Sequence, residues 1–157
     1  MNISRKTDYA LRMLAMLLEQ EDGLLSVRTA AAQVDVPYSF ARSIQHGLAQ
    51  AGIIESVRGV NGGMRLKADA KALTIRQVVE AVQGPLTINE CTQEDGDCTR
   101  STTCCYHAIW QGTQALLQSY LDSITLDDVV NRRRAPAVDP MFADRERFCE
   151  YASCAEL

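Results

Sequence analysis

Apolar positions recur at helical spacing in the first fifty residues and predict three helices. The first should span residues 5–20, where the repeating apolar positions are Tyr9, Met13, Met16 and Leu17. The second should start near Ser26, a good N-cap, and run through Val34. Pro37 suits the first position of the third helix, which should continue to about Ala51.

The third predicted helix has two distinct faces at 100° per residue. Its apolar face consists of Phe40, Ile44, Leu48 and Ala51. The opposite side is a polar stripe made of Ser39, Arg42, Ser43, His46 and Gln50. Two helices joined by a tight turn, the second with such a stripe, form the helix-turn-helix pattern that reads the DNA major groove. The alternative is a packed three-helix unit with a solvated outer face.

Two short strand-like segments, residues 53–58 and 64–66, follow the third helix. Asn61-Gly62 lies between them and is a strong hairpin signal. A hairpin directly after a helix-turn-helix makes a winged helix. Arg58 and Arg65 flank the hairpin tip, where they can reach phosphates or a minor groove. The sequence therefore predicts a mostly α fold, a winged helix-turn-helix with a two-stranded β wing.

The second half of the chain is predicted to contain three more helices. One covers residues 73–82 with Thr74 as its cap, and a long one runs from Tyr106 to about Ser123. The long helix has a wide apolar stripe, formed by Ile109, Trp110, Leu116, Leu117, Tyr120, Leu121 and Ile124. We expect a second copy of the chain to cover this stripe, which makes it a C-terminal dimerisation helix; intrachain packing is the alternative. A final short helix starts at Thr125 and should end in the arginines 132–134.

These elements divide the chain into four parts. Residues 1–83 form the winged-helix DNA-binding domain, and residues 84–105 form a loop. Residues 106–131 contain the dimerisation helix and the short helix after it, and residues 132–157 are a weakly patterned tail.

The loop and the residues just after it carry most of the chemistry of the sequence. Four of the six cysteines and one of the two histidines lie between residues 90 and 107. Six residues separate Cys91 from Cys98, and five separate Cys98 from Cys104. Such a polar segment needs something other than a core to hold it, and an iron–sulfur cluster, with thiolate ligands, fits that need. A closed zinc site is a rival, although zinc motifs usually place two ligands two to four residues apart. A thiol redox switch is another, because Cys104 and Cys105 are adjacent.

Charge and composition constrain the partners. The net charge is −4, but residues 1–70 carry 8 basic and 7 acidic side chains, whereas residues 71–157 carry 8 and 13. DNA contacts must therefore come from locally placed arginines rather than from a large positive field. Charges interrupt the N-terminal apolar residues, and no run is long enough to cross a membrane, so we expect a cytoplasmic protein with reduced cysteines.

Several stretches resemble one family. Residues 7–12 (TDYALR), 56–59 (SVRG), 61–66 (NGGMRL), 107–110 (HAIW) and 125–130 (TLDDVV), together with the three spaced cysteines, are similar to the IscR/NsrR/RirA-type winged-helix iron–sulfur regulators. The resemblance covers residues 1–131.

The resemblance implies a ligand set for the cluster. Cys91, Cys98 and Cys104 match the three cysteine ligands. His107 matches the histidine that completes a 2Fe–2S centre in one branch of the family. Asp8 matches the aspartate that, in another branch, reaches a 4Fe–4S cluster from the partner subunit. This chain has both, so the fourth ligand stays open between them.

The resemblance also implies a function. We expect a DNA-binding repressor, a homodimer on a pseudo-palindromic operator, that senses redox state, nitric oxide or iron–sulfur status. The residues expected to contact DNA are Ser39, Arg42, Ser43, His46, Arg58 and Arg65. The alternatives are a zinc-binding or cluster-free thiol regulator of the same fold and, more remotely, an iron–sulfur electron carrier. No nucleophile–base arrangement or phosphate loop suggests an enzyme.

Overall fold

The computed structural model of the chain describes residues 3–59, 62–93, 96 and 98–131. Within them lie six α-helices and one two-stranded sheet. In chain order the elements are α1 (Arg5–Leu18), α2 (Val27–Gln33), α3 (Tyr38–Gln50), β1 (Ile54–Val57), β2 (Gly63–Leu66), α4 (Ile75–Gln83), α5 (His107–Asp122) and α6 (Leu126–Val130). The predicted mostly α winged-helix fold is confirmed.

The core lies between α1, α2, α3 and α4. The side chains that fill it include Met13, Leu17, Ile44, Leu48 and Val78, each at most 2% exposed. Burying side chains of this size stabilises a fold by about 1.5–3 kcal/mol each. Of the predicted apolar face of α3, Ile44 and Leu48 are buried and Phe40 is half-buried. Ala51 is exposed, because it is the C-cap that follows the last turn of the helix.

Local capping sets where the helices begin. The Ser26 side chain accepts a hydrogen bond from the Thr29 backbone N–H at the start of α2, and Thr74 and Gln77 form a capping box on α4. Pro37 departs from the sequence prediction, because it is the N-cap of α3 rather than its first helical residue. Its ψ of 139° is extended, so the helix begins one residue later, at Tyr38.

A left-handed residue makes the turn between α2 and α3. Asp35 has a φ of 53°, a conformation that aspartate tolerates better than most side chains. The Val36 backbone N–H then donates to the Ala31 carbonyl over 3.0 Å, and closes the turn. On the outside, the Arg28 guanidinium lies 5.3 Å from the centre of the Tyr38 ring. These contacts fix α3 against α2 in a helix-turn-helix arrangement.

The wing is an antiparallel pair in which Ile54 lies opposite Leu66 and Val57 opposite Gly63. Its base is tied to Leu25, which precedes the N-cap of α2, because Leu25 and Met64 exchange two backbone hydrogen bonds of 3.0 and 2.8 Å. A Cβ at Gly63 would collide with the Leu25 carbonyl, which explains the glycine there. The wing is therefore held to the helical core at its base.

The short helix α6 packs with the winged helix. The Leu126 side chain is 1% exposed and belongs to the main core. Its backbone N–H donates to the Leu73 carbonyl, and the Ile75 N–H donates to the Ile124 carbonyl, both over 2.9 Å. The structure docks α6 on the N-terminus of α4, and its assignment to one part of the chain with the dimerisation helix, residues 106–131, stays a prediction. The predicted end of this helix, at residues 132–134, lies outside the described residues.

The long helix α5 packs against α4 and the cysteine loop. At its C-terminal end, Arg76 donates to Asp122 over 2.8 Å and to Glu80 over 3.0 Å. These hydrogen bonds, first that to Asp122, raise the pKa of Arg76 above its ordinary value. The predicted apolar stripe is divided, since Ile109 is 49% exposed and Leu116 is 44% exposed whereas Ile124 is buried. The other members of the stripe, Trp110, Leu117, Tyr120 and Leu121, are half-buried. None of the helices in the described ranges is long and apolar enough to span a bilayer.

Candidate DNA-binding surface and cysteine loop

The outer side of α3 carries the polar side chains that the sequence selected for reading DNA. Ser39, Arg42, Ser43 and His46 are all exposed. The opposite side of the helix is buried, since Ala41, Ile44 and Leu48 are fully enclosed. The structure thus places these four candidates together on one accessible helix face, as a recognition helix requires.

Gln45, which the sequence did not single out, is buried beside this face and is only 4% exposed. The Arg42 Nη1 atom donates to its side-chain oxygen over 2.7 Å. Its Nε2 atom in turn donates to the Ser56 hydroxyl over 3.1 Å. The feature of the sequence that could have indicated a buried Gln45 was a single amide near the apolar positions Ile44 and Leu48.

The two wing arginines occupy different places. Arg58 follows directly after β1 and is exposed near the hairpin turn. Gly62 closes that turn by donating its N–H to the Gly59 carbonyl over 2.9 Å; residues 60 and 61, including Asn61 of the predicted turn, lie outside the described residues. Arg65 is also exposed but lies within β2, opposite Glu55. Cross-strand pairs of opposite charge attract each other, so Arg58 has the freer position at the tip.

The cysteine loop joins the end of α4 to the start of α5. Cys91 lies in a single 3-10 turn, Glu90–Thr92. Cys98 and Cys104 lie in a series of turns, in which the Cys104 N–H donates to the Arg100 carbonyl over 2.8 Å. The thiols of these three residues are free and half-buried, whereas Cys105 is exposed. Residues 94, 95 and 97 of the loop, and Cys149 and Cys154 of the tail, fall outside the described residues.

Gln114 of α5 anchors the first part of the loop. It is 8% exposed, and its side-chain nitrogen donates to the Leu86 carbonyl. Its side-chain oxygen accepts from the Ile88 backbone N–H over 2.9 Å and from the Thr92 hydroxyl over 3.4 Å. The side-chain amide of Gln114 thus supplies hydrogen-bond partners to backbone groups of residues 86 and 88, which have no strand neighbour among the described residues to pair with. These residues lie shortly before Cys91 in the chain.

A second amide holds the other side of the loop entrance. The Gln83 side-chain oxygen, at the end of α4, accepts from the Ser4 backbone N–H over 2.9 Å and from the Thr7 hydroxyl over 2.7 Å. Thr7 is completely buried. The start of α1 is therefore hydrogen-bonded to the last residue of α4, directly before the cysteine loop.

The two candidates for the fourth ligand have different surroundings. His107 is the first residue of α5, and its Nδ1 atom is buried without a hydrogen-bond partner among the described residues. Asp8 is 53% exposed and its Oδ2 accepts from Arg12 Nε over 2.9 Å. An unpaired buried nitrogen is a polar group that needs a partner, whereas the Asp8 carboxylate already has one.

The described residues do not form a ready metal site. No three of their histidine, cysteine, aspartate or glutamate side chains lie close enough to hold one ion. The donor set nevertheless suits an iron–sulfur cluster in its chemistry, with three half-buried thiols on one loop and the buried Nδ1 atom of His107 at the start of the next helix. The ligand set stays a prediction.

A family model described as "Rrf2: Iron-dependent Transcriptional regulator" matches residues 3–132 of this chain. The chain belongs to the Rrf2 family. This confirms the resemblance read from the sequence, and it makes the protein a helix-turn-helix transcriptional regulator rather than an enzyme.

Individual Rrf2-type proteins support the assignment. The HTH-type transcriptional regulator IscR of Vibrio campbellii is 30% identical over 131 residues, which cover 83% of this chain and 77% of that protein. The solved structure of T. potens IscR is similar with a TM-score of 0.66 at 20% identity, and covers 85% of this chain and 89% of that one. CymR, the global cysteine regulator of B. subtilis, gives a TM-score of 0.64 at 22% identity, covering 84% and 98%. The two structures show the shared fold.

Proposed function

We propose that this Rrf2-family protein is a homodimeric, cytoplasmic repressor whose operator affinity depends on an iron–sulfur cluster held by the cysteine loop. The observation that carries the proposal is the double anchoring of that loop. Gln83 joins its entrance to the start of α1, and Gln114 fastens the Cys91 segment to α5. A change in the loop therefore acts on both the winged helix and the long helix.

DNA contact is assigned to two elements. Ser39, Arg42, Ser43 and His46 of α3 enter the major groove, and Arg42 is the best reader of a guanine edge because it can donate two parallel hydrogen bonds. Arg58 at the wing tip, with Arg65 behind it, contacts the backbone or minor groove. Two such units in a symmetric dimer read a pseudo-palindromic site.

Cys91, Cys98 and Cys104 are the proposed cysteine ligands of the cluster. We favour His107 over the partner's Asp8 as the fourth ligand, because its Nδ1 atom is buried and unpaired within the described residues. Asp8 would first have to give up its ion pair with Arg12. This choice favours a 2Fe–2S centre over a 4Fe–4S centre, and imidazole ligation raises the reduction potential of such a centre.

When bound, the cluster supplies a group that responds to oxidants, nitric oxide and iron supply. The chain's own part is to couple that response to DNA. Ordering of the loop would set the position of α1 through Gln83 and of α5 through Gln114. Coupling of about 1–3 kcal/mol would change operator affinity by about 5–150-fold.

Anaerobic purification, followed by iron and sulfide analysis and an absorbance spectrum, tests the cofactor. We expect a coloured protein that loses its visible absorbance in Cys91→Ser, Cys98→Ser and Cys104→Ser. Cys105→Ser is the matched control, because Cys105 is adjacent to the proposed ligand Cys104. This variant should keep the spectrum, since the Cys105 thiol is exposed and is not a proposed ligand. His107→Ala should shift the spectrum and Asp8→Ala should not; an unchanged spectrum in both would remove both assignments.

A cluster-free or zinc-binding thiol regulator of the same fold is the second candidate. The adjacent thiols of Cys104 and Cys105, one half-buried and one exposed, favour it. A colourless protein that contains zinc, or one whose DNA affinity changes with thiol oxidation alone, would establish it. A protein that carries a cluster but binds no DNA would point instead to electron transfer.

A further inference from the structure

A buried amide lies between the recognition helix and the wing. Gln45 is 4% exposed. Its side-chain oxygen accepts a hydrogen bond from Arg42 Nη1 of the same helix over 2.7 Å. Its Nε2 atom donates a hydrogen bond to the Ser56 hydroxyl in β1 of the wing over 3.1 Å. A buried polar side chain that lacks such partners destabilises a protein, and the two hydrogen bonds offset that cost for Gln45.

We infer that Gln45 is a specificity-determining positioning residue, which orients the Arg42 guanidinium for base recognition and fixes the recognition helix relative to the wing. The inference deepens the proposed DNA contact and rests on Arg42 reading a base. Gln45 itself is buried and acts through Arg42 rather than by touching DNA.

The geometry of the guanidinium supports this role. Arginine presents two donor edges, one formed by Nη1 and Nη2 and the other by Nε and Nη2. Gln45 holds Arg42 through Nη1, so the Nε–Nη2 edge stays available for the two acceptors of a guanine. In contrast, Arg12 and Arg76 use Nε in ion pairs.

The chemistry of the amide matters as well. Glutamine orients the arginine without neutralising its charge, so the guanidinium keeps its attraction for DNA. A carboxylate at the same position would hold Arg42 but add a negative charge beside the phosphates. An apolar side chain of similar length would release Arg42 into many rotamers, and ordering it again would cost free energy on binding.

The bond to Ser56 extends the effect to the wing. Ser56 is part of β1, and the strand leads directly to Arg58. Gln45 therefore sets the spacing between the base-reading residue and the wing arginine. Both contacts need that spacing to engage one DNA duplex together.

The test uses the full-length protein with Arg42→Ala, Gln45→Met, Gln45→Glu, the double variant that combines Arg42→Ala with Gln45→Met, and a control variant. A preferred duplex is first selected from a random pool with the wild-type protein. Dissociation constants are then measured at fixed salt for this duplex, for single-base-pair variants of it, and for an unrelated duplex. Arg42→Ala identifies the base pair that Arg42 reads, as the position where preference disappears.

Gln45→Met should weaken the preference at that same base pair by about 2–10-fold, the value of one hydrogen bond, with binding to the unrelated duplex unchanged. The effect should vanish when Arg42 is already alanine. Gln45→Glu should keep the preference and weaken binding to all duplexes. Gln33→Met is the control, since Gln33 is an exposed glutamine at the end of α2.

The outcomes separate this inference from the proposed function. A wild-type protein that selects no sequence would overturn both. Another outcome is that Arg42→Ala removes the preference at one base pair while Gln45→Met leaves that preference unchanged or weakens binding to all duplexes equally. In that case only the role of Gln45 is wrong. Thermal unfolding checks that the variants are folded. If Gln45→Met does not fold, the test rests on Gln45→Glu. Loss of the base-pair preference in Gln45→Glu then overturns the inference, and retention of that preference supports it.

Discussion

At the scale of single residues, three buried or half-buried glutamines connect different elements of the chain. Gln45 joins the recognition helix to β1, Gln83 joins α4 to α1, and Gln114 joins α5 to the cysteine loop. Each of these amides has partners for its oxygen, its nitrogen or both. An amide suits such junctions because it donates and accepts at once without a charge to bury.

Gln114 makes a direct prediction about the cysteine loop. Gln114→Leu removes the partners of the Leu86 carbonyl and the Ile88 N–H, and leaves buried backbone groups unpaired. The free energy of unfolding should fall by about 1–3 kcal/mol, as measured by urea denaturation followed by circular dichroism.

The matched control is Gln118→Leu, about one turn further along α5 and half-buried. It should change the stability by less than about 0.5 kcal/mol. Equal losses in the two variants would show that the amide of Gln114 has no special role in holding the loop.

At the scale of elements, the caps and the apolar spacing set the helices, but the packing partners are not always those that sequence order suggests. The starts of α4 and α6 lie side by side, with Thr74 and Thr125 forming a β-bridge. Both threonines form capping boxes at their own helices. The short helix α6, which is the last element of the described residues, thereby packs against the core of the winged helix.

This placement predicts that α6 contributes to the stability of the DNA-binding domain. Leu126→Ala should lower the free energy of unfolding by about 2–5 kcal/mol, because the side chain is buried in the main core and its loss leaves a cavity. Thermal or urea unfolding measures it.

Val129→Ala, on the same short helix, is the control. Val129 is 45% exposed, so its truncation should cost less than about 0.5 kcal/mol. Were the two losses similar, α6 would be stabilised by something other than the buried leucine.

At the scale of the whole molecule, the outward face of α5 bears on assembly. Ile109 and Leu116 are each more than two-fifths exposed, and the half-buried Leu117 and Tyr120 follow on the same helix. A contiguous exposed apolar face commonly marks a protein interface. A second copy of α5, packed around a two-fold axis, would cover it and place two recognition helices on one DNA duplex.

Charge introduced on this face should break the dimer. The double variant Ile109→Glu and Leu116→Glu should run as a monomer in size-exclusion chromatography with light scattering, because desolvating two carboxylates opposes association. Ala115→Glu adds a charge elsewhere on the exposed helix surface and should remain dimeric. A monomeric wild-type protein, or a dimeric double variant, would remove α5 as the dimer helix.

The sequence by itself determined the order and type of the elements, and the candidate chemistry. Helix periodicity, Ser26 and Thr74 as caps, and the strand pair around the glycine-rich turn are local features, and the structure has them within one or two residues of prediction. The polar face of α3 and the cysteine spacing were equally local, so both candidate sites could be recognised before any packing was known.

Only the tertiary structure decided how these parts are joined. Gln83 meets Ser4 across 79 residues of sequence, Gln114 reaches Leu86 across 28, and Gln45 contacts Ser56 on another element. In a sequence these glutamines look like ordinary surface residues, and nothing in the α6 segment shows that it packs on the N-terminus of α4. Whether a polar side chain is buried depends on partners that folding brings from elsewhere in the chain, and no local pattern records them.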